Sequence, residues 1–314
     1  MPIFWPPTRQ LNVHNHSALV LCFLSLLLGA HAFPETQEAK SGRHIEKIIA
    51  ALAQMTDADS LAAAGLLILT KYREQSLPLI ERALAASPTR VDLVWLQSEV
   101  CLKVEFCDPV PIENRLRELD PSNAAGWAGA LVRASSSNNE KAKDAVLAAI
   151  GHKDRFDIYW TTFISRLSDA VIRAHTMSPQ EALVTIIGYQ AAAAIPVYEA
   201  AAKACKGERL ERAETSEACR GIASAFQKGD TYLTEMIGVA IAKRVWPEDS
   251  PEWKAAAEER RVYEYRSALQ SKLVRREITH PGEYLTLCAQ NRREQDVVAA
   301  QLIKDGKNPN PPAE

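Results

Sequence analysis

Apolar side chains recur at helical spacing along nearly the whole chain, and no stretch alternates in the manner of a strand. From His44, the residues Ile45, Ile48, Ile49 and Leu52 share one face. Asp57 or Asp59 can cap a helix over residues 61–70, whose Leu61, Leu66, Leu67 and Leu69 cover much of its circumference and predict deep burial. Ser76 is expected to cap residues 77–86, with Pro78 in the first turn and Leu79, Ile80, Ala83 and Leu84 as the inner stripe. Ser87-Pro88 ends that helix. The unit then recurs: residues 91–103 and 112–119 form a second pair closed by Asp120-Pro121, and residues 124–133 and 140–150 form a third.

Beyond Gly151 the helices continue without a period. Residues 158–174 carry Trp160, Phe163, Ile164, Leu167, Val171 and Ile172. Ser178-Pro179-Gln180-Glu181 combines a capping box with proline at the first helical position. Pro196 is expected to kink or break the helix that follows, because it lacks an N–H and crowds the preceding turn. Gly229-Asp230 reads as a stop followed by a cap between residues 216–228 and 231–246. A charged helix runs from Ser250 towards Glu277, and two short helices close the chain, with Gly306 as C-cap.

Pro121 follows Pro88 by 33 residues, and Trp127 follows Trp95 by 32. Helix pairs at that period predict a helical solenoid. Pro121 with Trp127, Ala83 with Pro88, and Ala64 in a first helix together resemble the tetratricopeptide repeat family over residues 57–150. Trp95 sits one place late for that pattern, Leu131 stands where a small residue is expected, and Pro109-Val110-Pro111 is an atypical helix start. The resemblance implies stacked antiparallel pairs, a concave binding surface and a protein or peptide partner, and it implies no activity. Ala125, Ala128 and Val132 would line the concave face, so the basic groove of the family's chaperone-tail binders is missing. The expected fold is therefore all-α. An irregular tetratricopeptide-like solenoid over residues 43–150 precedes a less regular helical region, 151–305, and a disordered tail, 306–314.

The N-terminus follows a different pattern. Residues 1–17 are polar, Ala18–Leu28 is an apolar run of eleven, and small residues Ala30 and Ala32 precede Phe33. This is the three-part form of a secretory signal over residues 1–32 and predicts a mature start at Phe33, followed by a loose leader to residue 42. The run is shorter than the ~20 apolar residues of an ordinary span, so the mature chain is expected to have no transmembrane segment. Cleavage removes Arg9 and no acid, taking the net charge from −2 to −3. That balance argues against nucleic-acid binding, which needs a basic face.

Export places the cysteines in an oxidising compartment. Cys22 leaves with the signal and five remain. Cys101 and Cys107 flank a helix end, and the Cys107-Asp108-Pro109 break lets them approach. Cys205 and Cys219 flank a charged loop and would staple two antiparallel helices. Both pairs are expected as disulfides, with Cys288 outside them, either buried or linking two chains. A four-thiolate metal site is the alternative, but the spacings are unlike those that grip zinc. The remaining histidines, His44, His152, His175 and His280, lie at helix ends in no metal-ligand spacing. No zinc-protease helix, nucleophile elbow or phosphate loop is present. Glu258 with Arg261 and Glu277 with Arg276 read as solvated faces, and Lys272, Arg275 and Arg276 as an exposed helix end. No catalytic, cofactor-binding or metal-ligating residue is assigned. The expectation is an exported, periplasmic or extracellular, non-enzymatic scaffold or protein-binding protein, against a cell-wall hydrolase with an unrecognised acidic pair.

Overall fold

A computed structural model describes residues 35–270 and 280–312, with side chains from residue 44. The proposed signal lies outside the described residues, as do Lys272, Arg275, Arg276 and Glu277. Two compact units divide at His44. Of the first, residues 35–44 are described and open helix α1 (Glu35–Ala53), so helix extends through most of the expected loose leader. The second unit, from Ile45, carries the features that follow.

The described residues are all-α, as the periodicity predicts. After α1 come α2 (Ala58–Ile68), α3 (Arg73–Ala86), α4 (Val91–Cys101), α5 (Pro109–Leu119), a 3₁₀ turn at Ala124–Trp127, α6 (Ala128–Ser136) and α7 (Glu140–Gly151). Then follow α8 (Trp160–Arg173), α9 (Pro179–Ala204), a 3₁₀ turn at Gly207–Glu211, α10 (Ala213–Gln227), α11 (Tyr232–Val245), α12 (Pro251–Gln270), α13 (Pro281–Gln290) and α14 (Glu294–Lys304).

Local chemistry sets the boundaries. Asp57 caps α2 by accepting from Ser60 N–H at 3.0 Å. Asp108 caps α5, which starts at Pro109 because both prolines fall in the first turn, where a missing N–H leaves no bond unmade. Ser76 does not cap α3. The helix begins a turn earlier at Arg73, and the buried Ser76 hydroxyl donates across the pair to Gly65 O at 2.7 Å. A Cβ at Gly65 would collide with Ile80, so α2 and α3 meet closely at this point. The capping box at Ser178 and Glu181 forms as expected. Pro196 does not break α9, which runs unbroken for 26 residues, with Ala193, Ala194, Val197 and Tyr198 buried on both sides of the proline. Gly306 adopts φ +70°, ending α14. The tail is engaged: Arg266 and Arg261 of α12 donate to the Pro309 and Pro312 carbonyls at 2.9 Å each.

The pairs α2–α3, α4–α5 and α6–α7 pack in sequence, and α3 also meets α4. The decisive feature is what covers the first helix of each pair. Helix α8 lies on α2, and its Phe163 ring meets Trp95 of α4 at 5.6 Å. Helix α9 packs on α2, α6 and α8. Of the three residues expected to line an open concave face, Ala125 and Ala128 are buried and Val132 is half-buried. Further along, α10 packs on α7 and α11, α13 on α8, and α14 on α12 and α13. One hydrophobic core runs from Ile48 to Val297. By length and composition α9 is apolar enough to cross a membrane, with a mean hydropathy of 1.2 and no charge between Glu181 and Glu199. Its inner face nevertheless belongs to this core and includes the wholly buried Gln190.

Candidate functional site

The cysteines meet as their spacing predicts. Cys101 ends α4, and its sulfur lies 2.02 Å from that of Cys107, with Cα atoms 5.3 Å apart. Cys205 caps α9 and joins Cys219 inside α10 at 2.07 Å, with Cα atoms 5.7 Å apart. Cys288 is buried on α13. The four histidines are exposed: His152, His175 and His280 lie at helix ends as expected, whereas His44 sits in the middle of α1. Among the described residues, no group of three or more histidines, cysteines and carboxylates is placed to hold a metal. Glu258 and Arg261 pair at 2.7 Å on an exposed face. Trp127, Trp246 and Trp253 carry Arg117, Arg220 and Lys243 over their rings at 4.2, 4.6 and 4.3 Å, so their faces are occupied.

Three polar and apolar constellations escaped the sequence reading. The first is centred on the joint between α5 and α6. Arg155 grips Asp120 at 2.7 and 2.8 Å and Asp157 at 2.7 Å, and also bonds Ser122. The Asn123 side chain accepts from Ala125 N–H at 3.0 Å and Asp157 N–H at 2.9 Å, and donates to Asp157 O at 2.9 Å. Tyr159 sits in the left-handed region at φ 58°, a costly conformation for an aromatic residue. Its phenol donates to Asp120 at 2.8 Å. Asp230 holds both flanks of that strained residue, accepting from Ile158 N–H at 3.0 Å and Trp160 N–H at 2.8 Å. It therefore does not cap α11, where Thr231 serves instead. Burial and the neighbouring Asp157 charge raise the Asp230 carboxyl well above the usual carboxylate range, against its two backbone donors and Arg292. Arg292 closes the network onto Asp157. This is a structural hub, joining the α5–α6 joint to the starts of α8, α11 and α14.

The second constellation lies between α4, α5, α6 and α9. Glu113 of α5 is 2% exposed and receives both arms of Arg133 from α6, at 2.5 and 2.8 Å. A side chain at Gly129 would strike Glu113, so the glycine makes room for the pair. Glu99 of α4 is also 2% exposed, and burial pushes its carboxyl up to about 7; Lys103 opposes that shift and Glu113 adds to it. Lys103, one turn further on, donates to the Ala193 carbonyl of α9 at 3.2 Å.

The third is apolar. Phe106, inside the loop closed by Cys101 and Cys107, is 92% exposed. Val110 at the start of α5 and Ile195 of α9 are exposed as well. The Lys103–Ala193 bond holds this loop against the turn of α9 that carries Ile195. An open depression where α7 crosses α10, lined by His152, Leu210, Glu217 and Arg220, adds only side chains of exposed helix faces.

Set against protein families, curated proteins and solved structures, the chain shows no significant match to any of them.

Proposed function

We propose that the chain is an exported, non-enzymatic protein-binding protein, and that its partner docks at the rim around Phe106. One observation carries this reading: a phenylalanine held almost fully in water by a disulfide-closed loop. Burying such a side chain is worth about 1.5–3 kcal/mol, and aromatic anchors of this kind dominate protein interfaces. The two disulfides fit an oxidising compartment and so support export. The tetratricopeptide-like pairing of α2–α3, α4–α5 and α6–α7 supports a binding role by analogy. Helices α8 and α9 pack on α2, α4 and α6, the first helices of those pairs, where such repeats would carry their groove, and this favours a docking surface elsewhere. The hydrolase reading needs two carboxyls with separated affinities for protons and open to substrate. Glu99 and Glu113 are the neighbouring buried carboxyls, and both are sealed from solvent.

The test is a photocrosslinking residue placed beside Phe106, at Glu105, in protein recovered from an exporting host. One discrete adduct should form with the native loop and vanish in Phe106→Ser, while an Ile303→Ser control keeps it. An adduct indifferent to Phe106→Ser, or clearing of a cell-wall gel by the purified protein, would overturn the reading.

A further inference from the structure

The Lys103 bond to Ala193 crosses from a disulfide-closed loop to the weakest turn of a long helix. Pro196 has no N–H, so the Ala192 carbonyl lacks its helical donor, and the turn from Ala192 to Pro196 is one hydrogen bond short. Lys103 ties this turn down from outside, on the carbonyl of the next residue. The same ammonium lies four residues after Glu99, in the turn that follows the end of α4 at Cys101, close enough for each charge to act on the other. We propose that Lys103 is a proton-controlled latch: it holds the Cys101–Cys107 loop to α9 through Ala193 while Glu99 is neutral, and moves to Glu99 once that carboxyl ionises.

The groups around Glu99 favour this exchange. From α5 it faces Glu113, whose charge is already taken by Arg133 of α6 and lies 3.9 Å from Arg117. From the turn just past the end of α4 it faces Lys103, and from α3 Arg73 acts on Lys103 as a like charge. Helix α9 presents the Ala193 carbonyl. The arginines therefore serve Glu113, and Lys103 is the cation left to answer a new charge on Glu99. Burial and Arg73 hold the Lys103 ammonium below its ordinary value while Glu99 opposes them, so an ionised Glu99 strengthens the ammonium that it attracts. Glu99 changes charge near neutrality, inside the range an exported protein meets. Its proton passes to solvent. The result is a rim whose two apolar parts, Phe106 on the loop and Ile195 on α9, are locked together at mildly acidic pH and uncoupled at mildly alkaline pH. That this regulates docking rests on the proposed function; the latch itself does not.

The experiment is hydrogen–deuterium exchange on the isolated, oxidised chain from about pH 5.5 to about 8.5, corrected for the intrinsic pH dependence of amide exchange. Protection of residues 187–198 should fall about tenfold, with a midpoint near neutrality. Glu99→Gln should hold the high-protection state throughout, and Lys103→Met the low-protection state. Flat protection in the native chain would overturn the latch, and so would a pH step that survives in Lys103→Met. The second outcome can be read even if Glu99→Gln fails to fold. Because no partner is present, failure here is distinct from failure of the crosslinking test.

Discussion

The inner face of the helix pairs and the rim beside it hold apolar side chains in opposite states. Inside, Trp95 packs on Phe163, and Ala125 and Ala128 are buried in the core that α8 and α9 help to form. At the rim, Phe106 stands in water on a loop that a disulfide closes over a sequence separation of 6. A chain that only needed to bury apolar surface would fold Phe106 inward. The crosslink stiffens the loop that keeps it out. Residues expected to line an open face have become core, and an exposed aromatic side chain sits on a braced edge, where the proposed partner would dock.

Breaking the inner side should have the largest effect. Trp95→Ala removes the ring that meets Phe163 and should cost about 4 kcal/mol, read as a fall in the urea midpoint. A loss under about 1 kcal/mol would mean that the inner face is loosely filled. Asp230→Ala should cost about 3 kcal/mol by orphaning the Ile158 and Trp160 N–H groups and releasing the strained Tyr159. Unchanged thermal stability would show that the hub does not fasten the second half.

Glu99 sharpens the comparison through pH. Its folded-state affinity for protons is raised, so its stabilising contribution is whole below about 4.5 and fades as pH climbs to about 7. In the native chain that loss is on the order of 3 kcal/mol. Glu99→Gln should flatten this part of the curve and be more stable than the native chain above neutrality, as urea titrations at several pH values would reveal. Parallel curves for the two proteins would contradict the assignment. The smallest effect belongs to the rim itself: Phe106→Ser should leave the unfolding free energy, read by urea titration, within about 0.5 kcal/mol of native. A larger loss would mean that the ring supports the fold.

The sequence carried those features that are written locally. Helices were legible because apolar positions recur at helical spacing, and the Ser178–Glu181 box marked its helix start to the residue. Both disulfides were legible because each cysteine pair flanks a helix break. What failed was long-range. Asp230 looked like a local cap, yet its acceptors serve N–H groups 70 and 72 residues earlier. Ser76 looked like another, but burial beside Gly65 offered its hydroxyl a carbonyl across the pair. Nothing in the order of residues shows that α8 and α9 return to fill the inner side of earlier helices. Glu99 and Phe106 were invisible for the same reason: burial and exposure are properties of packing, and an acid or an aromatic ring on a helix or loop has no signature of its own.

Thiol accessibility separates a buried inner face from an exposed rim in one measurement. Ala125→Cys and Phe106→Cys place one new thiol on the inner face and one at the rim, in a chain whose native disulfides are intact. Position 106 should alkylate as fast as an unstructured peptide thiol, and position 125 at least ~100-fold more slowly, through opening of the fold. Comparable rates at the two positions would show that the side covered by α8 and α9 is open and would contradict its burial.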